Sequence, residues 1–424
     1  MQKKKMSNKV FAGISTAGIA IVLAAVMVGN YFALTYSSII SSYMGHDTFR
    51  VVKTDENTDA TYFESEFSSP EDFAQASTEL AKEIQKEGIV LVKNENQAMP
   101  LGDNKRVSLF SESSVDLIYG GTGSGAIDTS TVMNLKQAFE SIGYTVNPTL
   151  WDFYTSNHEK YSRVIPSNLP GVDHAYFVNE CPVSEYTQAV KDSYADYNDA
   201  AIVVISRSGG EGLDLITDSS APDGNYLALT QEEKDMLDMI QNSDAFDKII
   251  VLLNVCNPME LGFLDDYSKI QACLWIGNLG QVGIESMVQA FNGEVNPSGR
   301  LVDTYAYDAF SAPAMQNFGE SNSFLNASEV PALDGLYGNE PGDIYVTYAE
   351  GIYVGYKYYE TRYEDVVLGQ GNAGDYNYAE QVAYPFGYGL SYTTFEHSNF
   401  KVTEQGDHFA ATVDVTNTGD VAGN

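Results

Sequence analysis

The chain has 424 residues, enough for two or three domains, and 44% of them are apolar, so a large core is possible and global disorder is excluded. Lys and Arg total 23 against 58 Asp and Glu, a net charge of −35, which sets the surface against nucleic acid and, away from the N-terminus, against anionic lipid. The three cysteines and five histidines show no metal-ligand spacing, so neither a structural zinc nor a disulfide framework is expected.

Lys3, Lys4, Lys5 and Lys9 precede a stretch without charge from Val10 to Val28 that continues through Phe32 to Tyr43. An apolar run of that length is a transmembrane candidate, and its basic flank keeps the N-terminus cytoplasmic. A cleaved signal peptide is the alternative. The length of the run and the lack of a clean small-x-small site favour an uncleaved anchor. The expectation is a single-pass protein of the cell membrane, with residues 1–36 as flank and anchor, 37–69 as linker and the acidic bulk extracellular.

Ser69-Pro70-Glu71-Asp72 reads as a helix start, with Pro in the first turn and acids at the positive end. That helix runs to about Lys86 and stops at Gly88. Strands are expected at Ile89–Val92 and Val107–Phe110, and a helix over Val132–Ile142. Ala201–Ile205 is the kind of apolar run that makes a buried parallel strand. Thr230-Gln231-Glu232-Glu233 resembles a capping box opening a helix through Ile240. Ile249–Leu253 and Ile270–Ile276 are further strands, and a helix is expected from about Gly280 to Phe291. Cys256 and Cys273 lie in these apolar surroundings and are expected to be buried thiols. Strands alternating with helices predict an α/β domain over 70–310, a mostly parallel sheet sandwiched between helices. A Tyr- and Gly-rich connector follows over 311–397. From residue 398 period-two alternation, as in Phe409–Val415, predicts antiparallel strands. Two strands do not stand alone, so the sequence reads as a fragment of a longer protein.

The stretch with most chemical content is Ile205-Ser206-Arg207-Ser208-Gly209-Gly210-Glu211-Gly212-Leu213-Asp214. A strand that opens into a Gly-rich, acidic loop sets carboxylates at the carboxyl end of a sheet, where open α/β sheets bind ligands. Glycines on both sides leave Glu211 unobstructed. Alone, such a loop is an ordinary solvated turn. As a site, Glu211 is a candidate general acid/base, and glycosidic cleavage requires a pair of carboxyl groups. Asp214 and Arg207 are candidate substrate-binding or orienting residues. Arg207 can hold Asp214 or a substrate hydroxyl, or serve a structural ion pair.

Gly120-Gly121-Thr122-Gly123-Ser124-Gly125-Ala126 contains a dinucleotide-like G-x-G-x-x-A, but it neither follows a strand directly nor opens a helix. It is expected to be a loop near the same sheet edge. The tyrosines around 345–359 suit either sugar stacking or an interior domain contact.

Several runs together resemble glycoside hydrolase family 3. They are Gly88-Ile89-Val90-Leu91-Val92-Lys93-Asn94-Glu95, Gly120 to Gly125, Gly210-Glu211-Gly212-Leu213-Asp214, Asn292 to Leu301, Tyr348 to Tyr356, and Tyr384 to Tyr392. Val415-Thr416-Asn417-Thr418-Gly419 resembles the opening strands of that family's fibronectin type III-like domain. The resemblance implies retaining hydrolysis of β-linked sugars from the non-reducing end, without a cofactor, with Glu211 as acid/base and an oligosaccharide or β-glucoside as substrate. The family's nucleophile is an Asp on a separate (β/α)8 barrel, in a Ser-Asp-Trp-type motif not found in this sequence. The implied order is sandwich, fibronectin-like domain, then a barrel expected after Asn424. The residues leave glucoside, xyloside and N-acetylglucosaminide open. The rival reading is a non-catalytic, membrane-anchored carbohydrate-binding surface protein.

Overall fold

The computed structural model describes residues 7–44, 65–165, 176–210, 215, 225–316, 323–326, 329, 333–335, 338–340 and 345–423. The chain divides into two units, Met1–Pro70 and Glu71–Asn424. In the first, the helix Asn8–Thr35 starts at Ser7, whose Oγ accepts from the Val10 amide. It has 28 residues, with an 18-residue window of mean hydropathy 2.3, long and apolar enough to cross a membrane. A short helix, Ser37–Tyr43, follows.

The second unit holds a six-stranded sheet. Its strands are β1 (Val90–Asn94), β2 (Arg106–Phe110), β3 (Thr145–Val146), β4 (Ala200–Arg207), β5 (Ile249–Val255) and β6 (Ile270–Trp275). Their order is β1-β6-β5-β4-β2-β3. All neighbours are parallel except β1, which runs antiparallel to β6 at one edge. Successive side chains of a strand point to opposite faces, and β4 and β5 are buried along their whole length. Ala201, Val203 and Ile205 therefore enter one core and Ala200, Ile202 and Val204 the other. The first core is closed by helices Pro148–Tyr161 and Gln231–Gln241, which contribute Phe153, Tyr154, Met236 and Leu237. The second is closed by Leu135–Ser141 and Gly283–Asn292, which contribute Phe139, Met287 and Phe291. This is the helix-covered, mostly parallel sheet that the alternation predicted.

Local chemistry sets the helix ends. Asn134 and Gln137 form a reciprocal capping box, as do Thr230 and Glu233. Helix Pro148–Tyr161 has Pro at its first turn and Asn147 as its cap. Helix Gly283–Asn292 stops at Gly293 in the left-handed region. The expectation for Cys256 is corrected: it is exposed, whereas Cys181 and Cys273 are buried. It follows the last residue of β5, where the chain has already left the sheet.

Three of the sequence runs that carried the family resemblance meet at β1. The Leu390 amide donates to Leu91 O at 2.8 Å, and the Gly299 amide to Ile89 O at 3.0 Å. Asn296 Oδ1 accepts from the Tyr392 amide at 2.8 Å. The tyrosine-dense stretch forms a helix, Tyr356–Val367, rather than turns alone. Within it Tyr359 is buried with Ala306, Ala312 and Val382; ahead of it Tyr348 and Tyr353 are exposed. At the C-terminus, Phe395–Gln405 and His408–Asn417 pair as an antiparallel hairpin. The alternation predicted these strands, but Phe400, Val402, Phe409 and Val415 are exposed rather than half-buried.

Candidate active site

The strand order reverses between β2 and β4: β3 lies to one side of β2, whereas β4, β5 and β6 follow on the other. Ligands of open α/β sheets sit at the carboxyl ends of the strands at such a point. Two loops meet there. One descends from β2 to the glycines at 120–125. The other leaves β4 at Ser208. Thr122 and Gly210 join them through a parallel bridge. Beside them, Asn254 at the end of β5 ties three segments together. Its Oδ1 accepts from the Ile118 amide at 2.6 Å, and its Nδ2 donates to Ile118 O and Gly277 O at 2.9 and 2.6 Å.

A cavity of about 410 Å³ opens against these loops. Gly209, Gly210, Leu215, Asn257, Glu260 and Tyr359 are among its walls. Glu260 accepts from Asn225 Nδ2 at 3.0 Å and from the Ala309 amide at 3.1 Å, and burial raises its pKa. Asp303, also on the wall, accepts from the Tyr356 amide at 3.1 Å and so holds the start of the Tyr356–Val367 helix.

Of the residues singled out from the sequence, Glu211 and Asp214 lie outside the described residues. Arg207, the last residue of β4, is fully buried. Its partner is Glu233, with Nη1 and Nη2 donating to the two carboxylate oxygens at 2.9 and 2.8 Å. Nε donates to Tyr226 O at 2.6 Å, Nη1 also to Ser206 O at 2.7 Å, and Nη2 also to Ala228 O. The guanidinium lies 5.5 Å from the centroid of the Tyr226 ring. Among the described residues Arg207 is held in an ion pair, with a partner 26 residues away.

A second group of acids at the end of β2 was not singled out from the sequence. Ser111 follows the strand with φ 81°. Its Oγ donates to Glu180 at 2.6 Å, and the Glu112 amide donates to the same carboxyl at 3.0 Å. Glu112 itself meets His158 Nδ1 at 2.5 Å. Burial pushes the Glu180 carboxyl up to about 8, against the Ser111 hydrogen bond. Burial likewise pushes Glu112 up to about 7, against the His158 contact. Three buried carboxyl groups, those of Glu112, Glu180 and Glu233, thus stand near the strand ends, with Arg207 bound to the last. The usable clue was position: Glu112 follows an apolar strand by two residues, as an acid at the ligand end of a sheet does.

Comparison with known proteins agrees with this geometry. Residues 89–356 match the glycosyl hydrolase family 3 C-terminal domain. A β-glucosidase from Ruminococcus albus is 31% identical over 346 residues, covering 81% of this chain and 31% of the relative. β-Glucosidase A from Butyrivibrio fibrisolvens is 30% identical over 384 residues, covering 82% of this chain and 41% of the relative. The chain thus spans about a third to two-fifths of these relatives' length. Among solved structures, β-glucosidase 3B from Thermotoga neapolitana in complex with glucose superposes with a TM-score of 0.61 at 27% identity, covering 82% of this chain and 42% of that one. A β-glucosidase from Paenibacillus barengoltzii gives 0.60, also at 27%, over 81% and 33%. The domain match over more than half of its length places the chain: it belongs to glycosyl hydrolase family 3.

Proposed function

We propose that this chain supplies the acid/base half of a β-glucosidase-like site that hydrolyses terminal, non-reducing β-D-glucosyl residues with retention. The observation that carries the reading is the cavity at the sheet's reversal point. Gly210 and Leu215, the described residues on either side of 211–214, both line it. Glu211 directly follows Gly210 in the chain. Glu211 protonates the leaving glycosidic oxygen as a second carboxylate attacks the anomeric carbon. It then takes a proton from the water that releases the sugar. Asp214 orients this carboxyl or holds sugar hydroxyls, and Arg207, shielded in its pair with Glu233, acts on the carboxyl rather than on the sugar. The second carboxylate is the Asp of a (β/α)8 barrel carried beyond Asn424. Two carboxyl groups suffice for the chemistry, so the reaction calls for no cofactor. The Asn8–Thr35 helix anchors the protein in the cell membrane, and its net charge of −35 suits an exported, soluble bulk.

In the full-length protein, Glu211→Gln should lower kcat/KM for alkyl β-glucosides by about 10²-fold or more, the usual worth of a positioned proton donor. Unchanged turnover overturns the assignment. If the native protein binds glucosides without cleaving them, the non-catalytic binding reading takes its place.

A further inference from the structure

Arg207 and Glu233 form a fully shielded ion pair. Such a pair is seldom more stabilising than apolar side chains of the same shape, because both charges lose their water. Its stronger consequence here is geometric. Arg207 and Ser208 are the entry to the loop that carries Glu211, and residues 225–230 are its exit. Arg207 donates to the exit carbonyls of Tyr226 and Ala228. Glu233 accepts from the Thr230 amide at 2.8 Å while it binds Arg207. The Tyr226 hydroxyl turns back and accepts from the Ser208 amide at 2.7 Å. Entry and exit are therefore fastened to each other and to the first turn of the Gln231–Gln241 helix by charge-assisted hydrogen bonds, the stronger kind.

We propose that Arg207, Glu233 and Tyr226 are positioning residues for the acid/base: the buried pair and the tyrosine fix the neck of its loop, and so fix where the proton donor stands. The inference rests on the reading of Glu211 as that donor. None of the three touches the substrate; each acts through Glu211. Displacement by about 1 Å is enough to impair a catalytic group, so loosening the neck should weaken proton donation before it weakens the fold.

The test uses the full-length protein and the double variant Arg207→Met/Glu233→Leu, which replaces both members of the pair by apolar groups. Two substrates are compared by kcat/KM, an alkyl β-glucoside whose departure needs a proton and 2,4-dinitrophenyl β-glucoside whose departure does not. The expected result is a fall of about tenfold or more for the alkyl glucoside and less than about threefold for the dinitrophenyl one, the signature of a misplaced general acid. Equal values to the native enzyme, or equal losses on both substrates, overturn the proposal. Should the double variant not fold, Tyr226→Phe removes only the acceptor for the Ser208 amide and must show the same selective loss, at smaller size; no selective loss overturns it. Glu211→Gln is measured alongside. If it shows no substrate selectivity, the acid/base reading itself fails and takes this proposal with it. If it shows the selectivity and the neck variants do not, only the present proposal fails.

Discussion

A Cβ placed on Gly210 would stand 1.5 Å from Thr122 Oγ1, 2.7 Å from Thr122 Cβ and 3.0 Å from the Thr122 amide nitrogen. The bridge that joins the two loops therefore requires glycine at 210 by contact, not by backbone angle. Gly210→Ala must push the loops apart, and, on the acid/base reading proposed above, turnover of the full-length protein should fall about tenfold or more, since displacing a catalytic group by about 1 Å has costs of that order or larger. Adding Thr122→Gly removes the two closest atoms and should recover part of the loss. Kinetics of the single and double variants check this, and a fully active Gly210→Ala would contradict it.

Asn254 makes a second joint at the same end of the sheet. Asn254→Ala leaves the Ile118 amide and carbonyl and the Gly277 carbonyl without their side-chain partner. Each unsatisfied buried polar group costs roughly 1–3 kcal/mol, so a total loss on the order of 3 kcal/mol is expected in chemical denaturation. A loss below about 1 kcal/mol would mean that water replaces the amide.

Glu180 and Glu112 predict an unusual pH dependence. Their folded-state pKa values, about 8 and about 7, lie above the ordinary carboxyl value of 4.5. Between about 4.5 and 7 to 8 the folded chain holds protons that the unfolded chain has lost. The stabilisation these groups give is complete below the ordinary value and fades as pH rises through 7 to 8. Thermal unfolding should therefore shift to lower temperature between pH 5 and pH 8, with no further contribution from these groups above it. Glu180→Gln, which keeps a neutral side chain of the same shape, should flatten that decline. A decline of unchanged steepness in Glu180→Gln would show that Glu180 is ionised in the fold.

The N-terminal helix makes a separate prediction. The chain expressed with residues 1–44 should pellet with membranes and be released by detergent but not by high salt, and the chain without them should be soluble. Release of the intact chain by salt alone would point to surface adsorption instead.

The central strands were legible because strands buried on both faces are written as unbroken apolar runs. Ala201–Ile205, Ile249–Leu253 and Ile270–Ile276 each gave a strand within two residues of the observed ends. The Thr230 capping box was legible because its chemistry is local. The direction of β1 was not, since a strand of the same composition pairs either way. The Pro148–Tyr161 helix escaped because its buried face is largely aromatic and is interrupted by polar residues; its start at Asn147 and Pro148 was the available clue. The Tyr356–Val367 helix was hidden by tyrosines that read equally as strand or interface. In the site, the glycines of both loops announced a close backbone approach, which the Thr122–Gly210 bridge realises. The partnership of Arg207 with Glu233, and of Glu112 with Glu180 and His158, depends on contacts across tens of residues that no local pattern encodes.

The role of Glu211 as the acid/base of a retaining site is open to a direct test: Glu211→Ala in the full-length protein with 2,4-dinitrophenyl β-glucoside and sodium azide. Without its base the glycosyl intermediate should hydrolyse slowly, and azide, a nucleophile that needs no base, should enter the space left by the carboxyl. In the variant alone kcat should rise with azide, and the product should be β-glucosyl azide. A rate indifferent to azide, or the α-azide as product, would contradict that role.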